Sequence, residues 1–131
     1  MTDLPQDDEY ERRFAGVEKI YGEDAFRQYE HSHVMVIGIG GVGSWAVEAL
    51  ARTGIAELTL IDMDVIAASN INRQLPAMSS TLGREKVEVM AERCYSINPR
   101  IKINVVDDYL TPENVKELLA NTPDVVLDCI D

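Results

Sequence analysis

Short apolar runs alternate along this chain with segments of helical period, and Gly, Pro or Asn marks each switch. The runs 33–37, 58–61, 101–106 and 125–130 have strand length and predict four strands. Between them the period lengthens, predicting helices at about 42–53, 84–97 and 112–120. The first helix is expected to turn Val42, Ala46, Ala49, Leu50 and Thr53 to one face and to end at Gly54, a natural left-handed cap. The second aligns Val87, Met90, Ala91 and Cys94 and stops before Pro99. The third has Thr111 as cap and Pro112 at its first position. Residues 8–20 and 23–30 read as two polar, acidic helices ahead of the first strand.

Strand–helix alternation specifies an α/β fold: a Rossmann-like parallel sheet with flanking helices. The first and fourth strands are apolar almost throughout, as buried parallel strands are. The chain is expected to be truncated after the fourth strand, which would then lie at a sheet edge with no following helix. Two parts are anticipated: residues 1–30 as an acidic helical region, and residues 31–131 as the front part of a larger nucleotide-binding domain.

Composition narrows the class. With 46% apolar and 27% charged residues, the 131-residue chain is neither disordered nor membrane-embedded, and a cytoplasmic setting is the expectation. Cys94 and Cys129 are too few and too far apart for a disulfide framework or a four-cysteine zinc site, and both read as core thiols. The net charge of −11 is uneven: residues 1–30 and 107–131 carry all of it, leaving residues 31–106 neutral. A polyphosphate would meet least repulsion in that central segment.

The chemistry is concentrated there. Gly38-Ile39-Gly40-Gly41-Val42-Gly43 follows the first strand and opens a helix. Gly38 suits the sharp exit from the strand, Gly40 close approach of backbone to phosphate, and Gly43 tight helix–strand packing. The turn amides and helix N-terminus form an anion site, although many nucleotide enzymes share this pattern. Asp62 ends the second strand at the spacing of an acid that accepts from ribose hydroxyls; the alternative is a solvated strand-end carboxylate. Asp64 could support the site or cap the next turn. Two basic side chains, Arg73 and Lys86, favour an ATP enzyme over a nicotinamide dehydrogenase. Arg73 can fork phosphate oxygens, and Lys86 can supply a movable charge to the α-phosphate under attack. The alternative, a solvated helix start at Arg84 and Lys86, places cations where they oppose the helix dipole. Asp131, at the end of the fourth strand, could hold Mg2+. Asp128 reads as structural, His31 and His33 as surface residues, and Trp45 and Tyr95 as packing residues.

Five ordered motifs, Gly38–Gly43, Leu60–Asp64, Ser69–Gln74, Gly83–Lys86 and Leu127–Asp131, together resemble the adenylating domain of the ubiquitin-activating-enzyme-like superfamily over about residues 10–131. That superfamily includes the molybdopterin-synthase and thiamine-pathway adenylyltransferases. Arg12-Arg13-Phe14, Tyr21-Gly22 and the run from Gly43 to Ile55 are most similar to the bacterial dehydratases that activate the threonyl carboxylate of threonylcarbamoyladenosine in tRNA. The resemblance implies ATP and Mg2+. Gly41 and Asp62 would contact the adenosine part, and Asn70, Arg73 and Lys86 the phosphates, with Gln74 also at the nucleotide and Asp131 near the metal. It also implies a homodimer in which an N-terminal arginine reaches the other subunit's ATP, Arg13 being the first candidate and Arg12 the second. The partners implied are tRNA, bound by parts absent from this chain, and a sulfur carrier or cysteine desulfurase. Two further readings stay open: activation of the C-terminal glycine of a ubiquitin-like sulfur carrier, and a non-catalytic nucleotide-binding or dimerisation module.

Overall fold

The computed structural model describes residues 7–131. Helices α1 (Asp7–Tyr21) and α2 (Glu23–Tyr29) precede strand β1 (His33–Ile37). There follow α3 (Gly43–Thr53), β2 (Glu57–Ile61), a 3₁₀ turn at Ala68–Asn70, α4 (Lys86–Ile97), β3 (Lys102–Val106), α5 (Val115–Leu119) and β4 (Val125–Asp128). The strands form one parallel sheet in the order β3-β2-β1-β4, with Val36 opposite Leu60 on one side and Leu127 on the other.

Two faces of the sheet are covered. Val34, Val36, Leu58 and Leu60 pack against Val47 and Ala51 of α3 and Val87, Met90 and Cys94 of α4. Met35, Ile37 and Ile61 point the other way, toward Leu110 and Leu118 around α5. Strand alternation thus feeds both layers from a strand buried at every position. The chain leaves β1 toward β2 and later returns to the opposite side of β1 as β4. That reversal opens a crevice at the carboxyl ends of β1 and β4, and the glycine turn lies in it.

Most element boundaries match the expectations, but three local readings need correction. The buried face of α3 is Ser44, Val47, Glu48 and Ala51, while Val42 is 70% exposed. Close seating of Gly43 against the strand sets the rotation of the helix, and a search for apolar residues alone overlooks the buried Ser44 and Glu48. The α4 helix starts at Lys86, because the Arg84 carbonyl accepts the Ile66 N–H and Val65 bridges Glu85 in a short antiparallel ribbon. The α5 helix is only Val115–Leu119; Thr111 and Asn114 exchange capping bonds, with Asn114 N–H donating to Thr111 Oγ1 and Thr111 N–H to Asn114 Oδ1. Gly54 does cap α3 in the left-handed region, and a side chain there would strike Phe26 of α2.

Strand β4 is an edge strand, as expected, but it is not buried: Val125 and Val126 are exposed and Asp128 faces solvent. His33 is buried, its ring 2.6 Å from Thr59 Oγ1, whereas His31 is exposed. Trp45 and Tyr95 are both exposed. No helix among the described residues is long and apolar enough to cross a membrane.

Candidate nucleotide site

The glycine turn is held from three sides. Gly38 adopts φ 91°, and a Cβ there would sit 2.8 Å from the Cys129 carbonyl oxygen, so β4 passes directly against the turn. At Gly43 a Cβ would lie 1.6 Å from the Gly38 oxygen, so no side chain can be accommodated. Asp62 supplies the third constraint. Its Oδ2 accepts the Ile39 N–H at 2.7 Å and its Oδ1 accepts the Asp64 N–H at 2.7 Å. The buried Asp62 carboxylate therefore shapes the turn itself, a job the sequence spacing did not reveal. The amides of Gly40, Gly41 and Val42 donate to no described residue and remain available to an anion.

Gly40 and Gly41 carry the face on which the 69–74 segment lies. A Cβ on Gly41 would meet the Arg73 side chain at 3.4 Å, and one on Gly40 would meet Gln74 Nε2 at 3.7 Å. The first turn of α3 grips this segment: Trp45 Nε1 donates to the Arg73 carbonyl at 2.9 Å, and Leu75 N–H donates to Ser44 Oγ at 3.2 Å. Ser44 and Trp45 were not anticipated as site-shaping residues; a polar side chain directly after the glycine motif was the available signal for Ser44. Asn70 closes the preceding 3₁₀ turn by accepting the Ala67 N–H through Oδ1, which leaves its amide group to donate. The Arg73 guanidinium is exposed and, among the described residues, binds only Ser69 O and Asn72 Oδ1, so part of its donor fork is unspent. Gln74 is 7% exposed, and its Oε1 has no hydrogen-bond partner among the described residues. That buried acceptor calls for a hydrogen-bond donor, such as a hydroxyl, and not for a phosphate oxygen.

Lys86 arrives by the antiparallel ribbon, its N–H donating to the Asp64 carbonyl at 3.1 Å. It is 5% exposed, which removes the solvated helix start as an account of this lysine. Its Nζ lies 3.8 Å from Asp64 Oδ2, and Tyr109 donates its hydroxyl to Asp64 Oδ1 at 2.8 Å. Asp64 thus pairs with Lys86, and Tyr109 reaches it from the β3–α5 connection, which sequence reasoning passed over. Bonding to that carboxylate pushes the Tyr109 phenol up, keeping it a donor. Asp131 is exposed, three positions past the last register pair of β4 with β1. Among the described residues no group of three or more His, Cys, Asp or Glu could hold a metal by itself.

Arg13 is elsewhere. It donates to the carbonyls of Ser96 and Ile97 at the end of α4 and pairs with Glu9. Together with Arg52 and Arg93 it lines a cavity of about 450 Å3 at the far ends of α3 and α4 from the glycine turn. Those guanidinium groups are engaged: Glu48 takes Arg52 at 2.8 Å and two contacts from Arg93. The Arg93 hydrogen bond is the largest influence holding the Glu48 carboxyl below its ordinary range. The Glu48–Arg93 contacts tie α3 to α4. Arg12 is exposed and makes no ion pair with the described residues.

The chain is 53% identical over 131 residues to the tRNA threonylcarbamoyladenosine dehydratase of Haemophilus influenzae, covering 100% of this chain and 50% of that protein. The Escherichia coli molybdopterin-synthase adenylyltransferase is 37% identical over 110 residues, covering 84% of this chain and 43% of that one. A crystal structure of the E. coli tRNA N6-threonylcarbamoyladenosine dehydratase in complex with ATP superposes with a TM-score of 0.94 at 48% identity, covering 98% of this chain and 53% of that chain. The chain spans about half the length of the curated relatives it matches. Since the ThiF family model matches residues 10–131, on a fold and glycine turn of the expected kind, the chain belongs to the ThiF family.

Proposed function

We propose that this chain is the nucleotide-binding part of an enzyme that uses ATP to adenylate a carboxylate, and that the carboxylate is the threonyl group of threonylcarbamoyladenosine in tRNA. The observation that carries the reading is the convergence on one glycine turn of an unsaturated guanidinium, Arg73 against Gly41, with a buried lysine, Lys86, at the adjoining strand end. Gly40, Gly41 and Val42 amides would receive phosphate oxygens, with Gly38 and Gly43 permitting the turn. The remaining valences of Asp62 would meet ribose hydroxyls, and the Asn70 and Gln74 amides would complete the polar lining. A substrate carboxylate oxygen bonds to the α-phosphorus as the bond to pyrophosphate breaks. Arg73 and Lys86 hold the charge that develops. Attack by an internal nucleophile on the acyl carbon then expels AMP, which keeps the carboxylate oxygen, so that the net change in the tRNA is loss of water. Mg2+, held by Asp131 and the phosphates, would neutralise the pyrophosphate; a single carboxylate fits that ion, which takes much of its coordination from phosphate and water.

The same reading places the reaction in the cytoplasm and the protein in a homodimer. An arginine that reaches a partner's nucleotide must be free to leave its own subunit. Arg13 would have to release its bonds to α4 and Glu9, whereas Arg12 would release none to the described residues. The test is ATP–pyrophosphate exchange by the protein that contains this chain, with substrate-bearing tRNA. Arg73→Ala and Lys86→Ala are each expected to lower exchange about 100-fold or more. Unchanged rates in both would overturn the assignment. The 37% identity to a molybdopterin-synthase adenylyltransferase keeps one competitor in view, and exchange stimulated by a sulfur-carrier protein with a C-terminal glycine instead of tRNA would select it.

A further inference from the structure

We propose that Asp64 and Tyr109 act as a positioning pair that sets where the Lys86 ammonium meets its anion, an inference that rests on the adenylation reading above. Lys86 is buried, yet no described acceptor lies within hydrogen-bond distance of Nζ; the Asp64 Oδ2 contact, at 3.8 Å, is an ion pair too long for a hydrogen bond. A buried ammonium in that condition is costly unless a further anion completes it. Asp64 therefore holds the lysine without saturating it.

The carboxylate that does the holding is itself fixed. Its side chain is 54% exposed and would otherwise rotate freely, but the Tyr109 hydroxyl binds Oδ1 at 2.8 Å and leaves Oδ2 facing Lys86. Tyr109 stands on an anchored loop: its N–H donates to Asp108 Oδ1 at 2.7 Å, and its carbonyl accepts Asn114 Nδ2 at 2.7 Å. The backbone of Asp64 connects in two directions. Its N–H reaches Asp62, which grips the glycine turn through Ile39, and its carbonyl accepts the Lys86 N–H. One hydrogen-bonded path thus relates the phosphate turn to the lysine. An ion pair this long, with its carboxylate half exposed, adds little stability on its own. The geometry serves placement, and its effect belongs in the chemical step rather than in nucleotide affinity.

The experiment compares the wild-type protein containing this chain with Tyr109→Phe, Asp64→Asn, Asp64→Glu and the Asp64→Asn/Tyr109→Phe double variant. Maximal ATP–pyrophosphate exchange rate, calorimetric Kd for ATP and thermal melting are read for each. Asp64→Asn is expected to lower the maximal exchange rate about 10- to 100-fold, as a misplaced catalytic group does. Tyr109→Phe should lower it about 2- to 10-fold, the worth of one hydrogen bond. The Kd for ATP should stay within about twofold, Asp64→Glu should recover part of the rate, and the double variant should be no worse than Asp64→Asn. Multiplying effects in the double variant, a Tyr109→Phe rate equal to wild type, or a rate loss wholly matched by weaker ATP binding would each overturn the proposal. Faster exchange by Asp64→Asn would do the same, since Asp64 would then restrain Lys86. Should Asp64→Asn fail to fold, Tyr109→Phe alone decides, because it removes one hydroxyl from an exposed residue. Absence of exchange in the wild type would instead sink the adenylation reading itself, and this inference with it.

Discussion

Two glycines of the same turn should respond in opposite ways to one added methyl group. In Gly43→Ala the new carbon would lie 1.6 Å from the Gly38 carbonyl oxygen, with Cys129 Cβ a further 3.3 Å neighbour. An ordinary C···O contact is about 3.3 Å or longer, so backbone must separate by about 1.7 Å. Neither side can yield cheaply. Gly38 N–H is bonded to Ile61 O at 2.9 Å, and the other flank of Gly38 abuts the Cys129 carbonyl. Overpacking commonly costs about 1–3 kcal/mol, and a backbone obstacle puts this variant at about 3 kcal/mol or more. For a chain of this size that lowers the melting temperature by about 10 °C or more. At Gly40 the nearest atom is Gln74 Nε2 at 3.7 Å, an ordinary contact, so Gly40→Ala should cost under about 1 kcal/mol. Its methyl would project where Gln74 and the incoming phosphate meet, weakening ATP binding by about tenfold or more. Thermal melting and ATP calorimetry on both variants separate the two effects. A Gly43→Ala melt within about 2 °C of wild type, or a Gly40→Ala as unstable as Gly43→Ala, would refute the reasoning.

Asp62→Ala orphans the amides of Ile39 and Asp64 and should cost about 2–3 kcal/mol in urea denaturation; a loss under about 1 kcal/mol would contradict the anchoring role. Glu48→Gln should lower stability by about 1–2 kcal/mol near neutral pH, since the acid is mostly buried and its partners partly exposed. Because its native pKa is depressed, the ionised Glu48 contributes stability above the ordinary carboxylate range and loses it as pH falls through the lower native value. The gap between wild type and Glu48→Gln should accordingly shrink in acid, and a gap that widens would be the wrong sign. Burial pushes the Cys94 thiol up to about 12, so its alkylation should follow global unfolding and come after that of Cys129; rapid native labelling of Cys94 would contradict its placement in the core.

Periodicity and punctuation made the α/β class, the four strands and the glycine turn legible, because parallel strands and amphipathic helices have different repeats and glycine is required where backbone must turn sharply. Charge and residue type also singled out Arg73 and Lys86 as the basic pair. What the chain order alone could not give were contacts between segments far apart in sequence. Val42 looks like a face residue of α3 until Gly43 is seated against Gly38 and sets the helix rotation. His33 looks like a surface residue until Thr59 is placed beside it by the β1–β2 register. Arg13 stands in the sequence with no visible partner, and only the fold shows that it bonds the carbonyls at the end of α4 in its own subunit. Tyr109 carries no motif at all and gains a role only because the β3–α5 connection returns to Asp64. The sequence by itself determined which chemical groups accompany the glycine turn; the tertiary structure decided which of them gather beside it, because hydrogen bonds and burial between distant segments place each side chain.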